Sequence, residues 1–415
     1  MIKMITRLRS YGLTVLRSYS LTVLLSYCLT VLSLTSCISP FEPKGVADTA
    51  GILVVEGLVV VNGKTTIKLS RTIKLEDKFP KSAVYVQNAT VQLIDEKNHV
   101  IAEAKPQTIN QKPVPGMYEI DNTISFNPDM KYALDIRIGN SHYRSDFIAP
   151  VHTPEIDEVS WTVNEDKSMD IMVSTHDPAN KTQYYFWNFE EDWEYTAPFF
   201  TSHRYDPVNK TVIEQDLYGS NNRYFCWGSG KSNSLLFGSS IQLSDAVIKN
   251  KKIHHITPNN RRFSYLYSIL VRQYGLQKEA YDYFANLQRN VDESGSLFAP
   301  QPSEKDGNIQ CLSNPDEPVI GYIAIAKEIT YRLFIDMVSL NLYSPGGCAL
   351  EDEEGNQTGI VVMTNSLDKA YKEGYGIYYA LVPGSLYRCL LLPCVDCTYS
   401  GGSKQKPDFW PNNHQ

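Results

Sequence analysis

The chain has 415 residues, too many for one ordinary domain, and points to two or three. With 39 basic against 46 acidic residues its net charge is −7, which excludes the clustered excess of cation that a nucleic-acid backbone demands. Hydrophobic residues make up 42% and charged residues only 20%, enough apolar material for real cores and against long disorder.

Residues 1–36 stand apart from the fold. Lys3, Arg7, Arg9 and Arg17 are basic, no acid occurs before Glu42, and Ser18 to Ser36 carries no charge. A basic start, an apolar run and a small residue before the cut describe a secretory signal. The stretch is barely long enough to span a bilayer and is diluted by Ser, Thr and Tyr, so a cleaved leader is expected rather than a permanent helix. Within it an octad recurs at Arg9–Leu16, Arg17–Leu24 and Leu25–Leu32, read as a duplicated signal segment. Leu34-Thr35-Ser36-Cys37 resembles a bacterial lipobox, which implies cleavage before Cys37 and acylation of its sulfur. Residues 37–50, with Pro40, Pro43 and Gly45 and no apolar periodicity, then form a tether; its thirteen residues after Cys37 reach roughly 40 Å when extended.

Strand signals follow for a hundred residues: 52–60, 65–70, 89–94, 100–104, 116–120, 132–138 and 142–147. Several alternate apolar with polar, and Asn62-Gly63, Pro113 to Gly116 and Gly139-Asn140 are turn formers between them. Seven short strands without a helix between them predict a β-sandwich over 51–150, of the Ig-like or transthyretin-like kind. Pro150 and Pro154, which cannot donate to a ladder, bracket a boundary. Residues 155–400 predict a larger, mainly antiparallel β domain, with strands at 159–163, 169–175, 184–190, 319–325 and 331–336. One or two docked helices are expected in it, the clearest over 277–291, where Ala280, Tyr283, Phe284 and Leu287 share a helical face. Residues 401–415 are expected to run along the surface as a tail.

Setting aside Cys28 in the leader and Cys37, six cysteines remain: Cys226, Cys311, Cys348, Cys389, Cys394 and Cys397. In an oxidising compartment an even number reads as up to three disulfides, with fifteen complete pairings open. Cys394-Val-Asp-Cys397 has the spacing of redox and zinc sites, but it has no second such pair and no thioredoxin-like setting, so structural disulfides are expected.

The remaining chemistry is sparse. Gly228-Ser-Gly-Lys231-Ser232 imitates the end of a phosphate loop, yet Phe225 occupies the position of its first glycine. Glu190-Glu-Asp-Trp-Glu194 gathers four carboxylates; on a strand Glu190, Asp192 and Glu194 share one face while Glu191 and Trp193 share the other, and a solvated acidic strand end is the plainer reading. Asp352 to Asn356 reads as an acidic turn without calcium-loop spacing. His254 and His255 diverge on a strand and so cannot chelate one metal together. No nucleophile-plus-base signature appears, so no catalytic residue, metal ligand or cofactor is expected. Aromatics cluster around Trp187, Trp193 and Trp227, and these three with Glu194 are the candidate ligand or partner face.

One ordered set of short pieces is specific as a whole: Trp193-Glu194-Tyr195, Cys226-Trp227, Val271-Arg-Gln273, Glu279-Ala-Tyr281, Gly295-Ser-Leu-Phe298, Pro300-Gln-Pro302, Gly307-Asn-Ile309, Val319-Ile-Gly-Tyr322, and Cys394-Val-Asp-Cys397 followed by Lys406 to Trp410. It resembles a family of Bacteroidota lipoproteins catalogued as domain of unknown function four-two-four-nine, from about Pro40 onward. The resemblance implies an outer-membrane lipoprotein, often encoded beside a TonB-dependent transporter barrel, and brings no catalytic mechanism. Asp48-Thr49-Ala50 resembles the short O-glycosylation signal of that phylum, and the single Glu42 after the lipid cysteine leaves open which face of the membrane is occupied.

The leading expectation is therefore a non-catalytic binding or accessory subunit, held at the outer membrane through acylated Cys37 and partnered with a TonB-dependent barrel. The alternatives are a hydrolase of polysaccharide or peptide using Glu190, Glu191, Asp192 and Glu194, and an adhesin or envelope scaffold.

Overall fold

The seven strands expected over residues 52–147 are all present, at Leu53–Val60, Thr65–Arg71, Ala89–Asp95, Val100–Glu103, Lys112–Ile120, Tyr132–Ile138 and Ser141–Ser145. The structure is a computed structural model that describes residues 51–73, 84–121, 126–219, 221–241, 247–293, 307–343, 348 and 362–411. The leader, Cys37, the tether, the 295–302 pieces and the acidic turn at 352–356 lie outside the described residues. The described residues fall within one compact unit.

Two sheets build the sandwich. One runs through Leu53–Val60, Thr65–Arg71 and Lys112–Ile120, the other through Ser141–Ser145, Tyr132–Ile138, Ala89–Asp95 and Val100–Glu103. Alternation does the sorting: Leu53, Val55, Ile67 and Leu69 from the first sheet meet Val91, Leu93, Leu134 and Ile136 from the second in one core, all at most 1% exposed. Each such side chain contributes about 1.5–3 kcal/mol of burial. A further strand, Lys105–Ile109, pairs with Lys112–Ile120 through Asn110 and Gln111, both left-handed, as a two-residue hairpin needs. Its polar composition hides it from a hydrophobic-pattern search.

The sandwich is not closed by its own hundred residues. The apolar run 319–325, expected within the second domain, supplies Val319–Gly321 and Ala324–Ala326, which lie parallel to Leu53–Val60. Ile309–Cys311 adds to the other sheet against Ser141–Ser145. A buried clamp fixes this return: Asn308 Nδ2 donates to the Ile323 carbonyl and Ile323 N–H donates to Asn308 Oδ1, both at 2.8 Å. An apolar run carries no mark of which sheet it will join, so pattern alone assigns it to its neighbours in sequence.

The second block is mainly antiparallel. Ile156–Val163, Met169–His176 and Val247–Ile256 form one sheet; Phe225–Lys231, Tyr184–Thr196, Leu266–Leu276 and Glu328–Asp336 form another. Trp187, Tyr267, Ile269 and Val271 pack between them against Met169, Ile171 and Val173. The helix Lys278–Glu293 docks on this block. Ala280, Tyr283 and Phe284 meet Tyr322 and Phe237 as their spacing predicts, while Leu287, one turn further on, stays 42% exposed. A smaller sheet, Val362–Thr364, Leu386–Leu391 and Tyr375–Val382, follows, with the short helices Leu367–Lys372 and Leu392–Val395. The tail docks rather than trailing: Ser403 bridges Trp227, and Trp410 is 3% exposed against Trp227 and Leu266.

Candidate functional site

The strand Tyr184–Thr196 organises the region, because Glu190, Glu191, Asp192 and Glu194 and two of the three tryptophans named from the sequence sit on it. Tyr185, Trp187, Phe189 and Glu191 alternate onto one buried face. Trp187 is fully buried, stacked at 5.7 Å on Tyr185, and its indole N–H donates to Gln273 Oε1 at 2.8 Å. It is a core residue, which removes it from the candidate ligand face.

Glu191 lies two residues further along the same face and is 3% exposed. Arg262 Nε donates to its Oε2 at 2.8 Å, a second Arg262 nitrogen reaches Oε1, and the Tyr267 hydroxyl donates to Oε2 at 2.9 Å. His254 Nε2 stands 3.2 Å from the same oxygen. Burial pushes this carboxyl up, but the hydrogen bonds from His254 and Arg262 and their charge overcome that and hold it at about 2. His255 turns the other way, to Asp170 Oδ1 at 2.6 Å, so the two histidines diverge as strand geometry requires.

The other acids go elsewhere. Glu190, on the opposite face, accepts from Arg272 at 2.8 Å and lies 3.2 Å from Lys231; burial works against its charge, yet these two cations keep its carboxyl below the usual range. Asp192 faces Arg332 at 3.9 Å and is raised, chiefly by desolvation. Glu194 is fully buried and accepts the Trp410 indole N–H at 3.2 Å. Four carboxylates adjacent in sequence thus have four different settings, and they do not converge on one reacting position. Glu194 and Trp227, at 0% and 5% exposed, are covered by the docked tail.

The false phosphate loop explains itself here. Phe225–Lys231 is a strand paired with Tyr184–Thr196, with Gly228 opposite Trp193 and Gly230 opposite Glu191. A Cβ at Gly228 would fall 2.4 Å from Trp193 Cε2, and one at Gly230 would fall 2.6 Å from Glu191 Oε1. The two glycines therefore make room for the indole and the carboxylate. On its other side Trp193 carries the Arg262 guanidinium, 4.1 Å from a ring centroid.

Beside this packed network two clefts, of about 430 and 490 Å³, share Tyr195, Asn259, Arg261 and Ser400. The first is walled by Tyr343, Cys348, Cys394 and Cys397, the second by Trp193, Trp227, Asn260 and Ser403. Disulfides frame them. Cys226 pairs with Cys397 and Cys348 with Cys394, so the two cysteines of Cys394-Val-Asp-Cys397 belong to different bridges. The expectation of up to three bridges is reduced to two, since Cys311 sits in the sandwich core and Cys389 in the last sheet, both buried and free. Arg261 is exposed between the clefts, 3.3 Å from Ser400 Oγ and 5.4 Å over the Tyr195 ring, and among the described residues no carboxylate pairs with it. A third cleft, of about 440 Å³, lies where Lys64 and Glu119 approach Glu190, Lys231, Arg272 and Glu328. There each charge has an opposite partner.

Neither Arg261 nor Arg262 was legible as a site residue. They stand in the polar turn after Val247–Ile256, and no spacing ties them to Glu191 or to Ser400. Among the described residues no cluster of three or more His, Cys, Asp or Glu side chains is placed to hold a metal, and no helix is long and apolar enough to cross a membrane.

Residues 38–332 match the family model described as Domain of unknown function (DUF4249). The chain belongs to this family. No curated protein matches it. The DUF4249 match takes in the sandwich, the Tyr184–Thr196 strand, the Glu191 network and Arg261, and it ends before Cys348 and Cys394. One wall of the Arg261 clefts therefore belongs to the DUF4249 region and the other to the segment that follows it.

Proposed function

We propose that this DUF4249 protein is a lipid-anchored binding subunit at the outer membrane of a Bacteroidota cell, working beside a TonB-dependent transporter barrel. The leader ending in Leu34-Thr35-Ser36-Cys37 and the tether after it support the anchor. The net negative charge favours a hold through acyl chains rather than through anionic lipid.

The observation that carries the binding role is the pair of clefts around Arg261, open, polar and held by two disulfides. Hydrolysis by paired carboxylates would need two acids facing one substrate atom across a few ångströms. Glu190, Glu191, Asp192 and Glu194 are instead parted between Arg272, Arg262, Arg332 and Trp410. Two measurements test the reading. Mass spectrometry of the mature N-terminus should find a diacylglyceryl thioether on Cys37, and purification from detergent-solubilised membranes should bring down a large barrel protein. An unmodified Cys37, or repeated recovery of the chain alone, overturns it.

A further inference from the structure

We propose that the clefts around Arg261 bind a carboxylate-bearing saccharide, with the Arg261 guanidinium receiving the carboxylate. The inference rests on the binding role just described and names the chemical class of its ligand.

Charge comes first. Arg262, next in sequence, is consumed by Glu191, and in the cleft near Glu190 every cation already has an acid. Arg261 is different. It lies at the join of two clefts, and among the described residues it has a hydroxyl and an aromatic ring beside it and no acid partner. A planar guanidinium offers a two-pronged donor that matches a carboxylate. One such group suits a single negative charge, whereas a polyphosphate would call for several cations.

The surroundings narrow the ligand further. Asn259, Asn260, Ser400 and Ser403 line the same space and supply small neutral donors and acceptors, the chemistry that reads an array of sugar hydroxyls. The buried Tyr195 ring lies under the Arg261 guanidinium and holds it at the join of the clefts. The two clefts share Arg261, so an acid held there can extend its remaining atoms into either one.

The frame is stiff where it must be. Cys397 is bridged to Cys226, and the Tyr195 hydroxyl donates to the Cys397 carbonyl at 3.0 Å, so the wall bearing Ser400 is tied directly to the strand bearing Tyr195. A preformed wall reduces the ordering cost of binding.

The test is calorimetric titration of the whole detergent-solubilised chain with aldotriouronic acid, a xylobiose carrying one glucuronic acid, with neutral xylotriose and acetate as comparisons. Aldotriouronic acid should bind, more weakly as salt rises, and xylotriose should bind at least about tenfold less well, the worth of one charge-assisted hydrogen-bonded contact. Arg261→Gln should abolish that difference and Arg261→Lys should restore part of it, both with an unchanged circular dichroism spectrum. Three results overturn the inference: no binding of either sugar, equal binding of both, or an Arg261→Gln chain that still prefers the acid. Displacement by acetate at the trisaccharide's own concentration would reduce the site to a simple anion site and also overturns it. None of these touches co-purification with a barrel, so the ligand class and the accessory role fail separately.

Discussion

Glu191 and Arg262 are separated by 71 residues, yet they meet as a two-pronged ion pair inside the second block, with Trp193 lying against the guanidinium. The carboxylate comes from a strand and the arginine from the turn that precedes the neighbouring strand Leu266–Leu276, so the pair pins that turn to the sheet. Arg261, the next residue back, is thereby presented to the clefts.

Removing one partner of a buried pair strands the other. Glu191→Leu should lower stability in urea by about 3–5 kcal/mol, because Arg262 and His254 then lose their acceptor. A Glu191→Leu, Arg262→Leu double variant should recover much of that loss, and a double-mutant cycle by urea titration checks it.

The same residue sets an acid limit. The Glu191 carboxyl is held at about 2 against an ordinary 4.5, so its folded-state value lies below its unfolded one. Its contribution is fully present above pH 4.5 and is lost as pH falls from there toward 2, a swing of about 3 kcal/mol. Asp170, held at about 2 by Lys252 and His255, steepens the same window and remains when Glu191 is replaced. Urea midpoints taken from pH 6 down to pH 2 should show a shallower slope for Glu191→Leu than for the parent chain.

Gly228→Ala should displace the Trp193 indole, since the added carbon would lie 2.4 Å from Cε2. Overpacking of this kind costs about 1–3 kcal/mol. A lowered Tm together with a shifted tryptophan emission is the expected pair of readouts, and a stability loss with unchanged emission would place the strain elsewhere.

Asn308→Ala should free the return strand. Both hydrogen bonds of its side chain go to the Ile323 backbone and are buried, and leaving two such groups unmet costs about 2–6 kcal/mol. Amide hydrogen exchange at Ile323 and Ile325 should accelerate before exchange in Leu266–Leu276 does.

Thiol labelling separates the bridges from the free cysteines. Cys311 and Cys389 are buried, and burial raises the Cys389 thiol to about 11. Iodoacetamide should leave both unmodified in the native chain and label both in denaturant without reductant, while Cys226, Cys348, Cys394 and Cys397 should react only after reduction.

The sandwich strands were legible because alternation of the Ile67 and Leu69 kind has period two and a turn on either side. The helix was legible from its 3.6-residue stripe as far as Phe284. The strand Phe225–Lys231 was not, because its glycines answer to side chains on another strand, a requirement that no local window contains. Burial at the candidate face was not legible: aromatics gather around Trp193 and Trp227, but Trp187 and Glu194 are interior. Disulfide pairing was out of reach for the reason that split Cys394 from Cys397, since neighbours in sequence can serve different walls.

The strands at 309–326 carry a consequence for biogenesis. A polypeptide emerging amino-end first has an unfinished leading lobe until well over half of it has been delivered, with the Leu53–Val60 and Ser141–Ser145 edges waiting for their neighbours. During that interval the exposed edges are open to pairing with other chains. Holding chaperones should therefore matter more for the yield of this protein than for a bead-like array of self-contained modules, and a fragment cut at Pro150 should be recovered as aggregate.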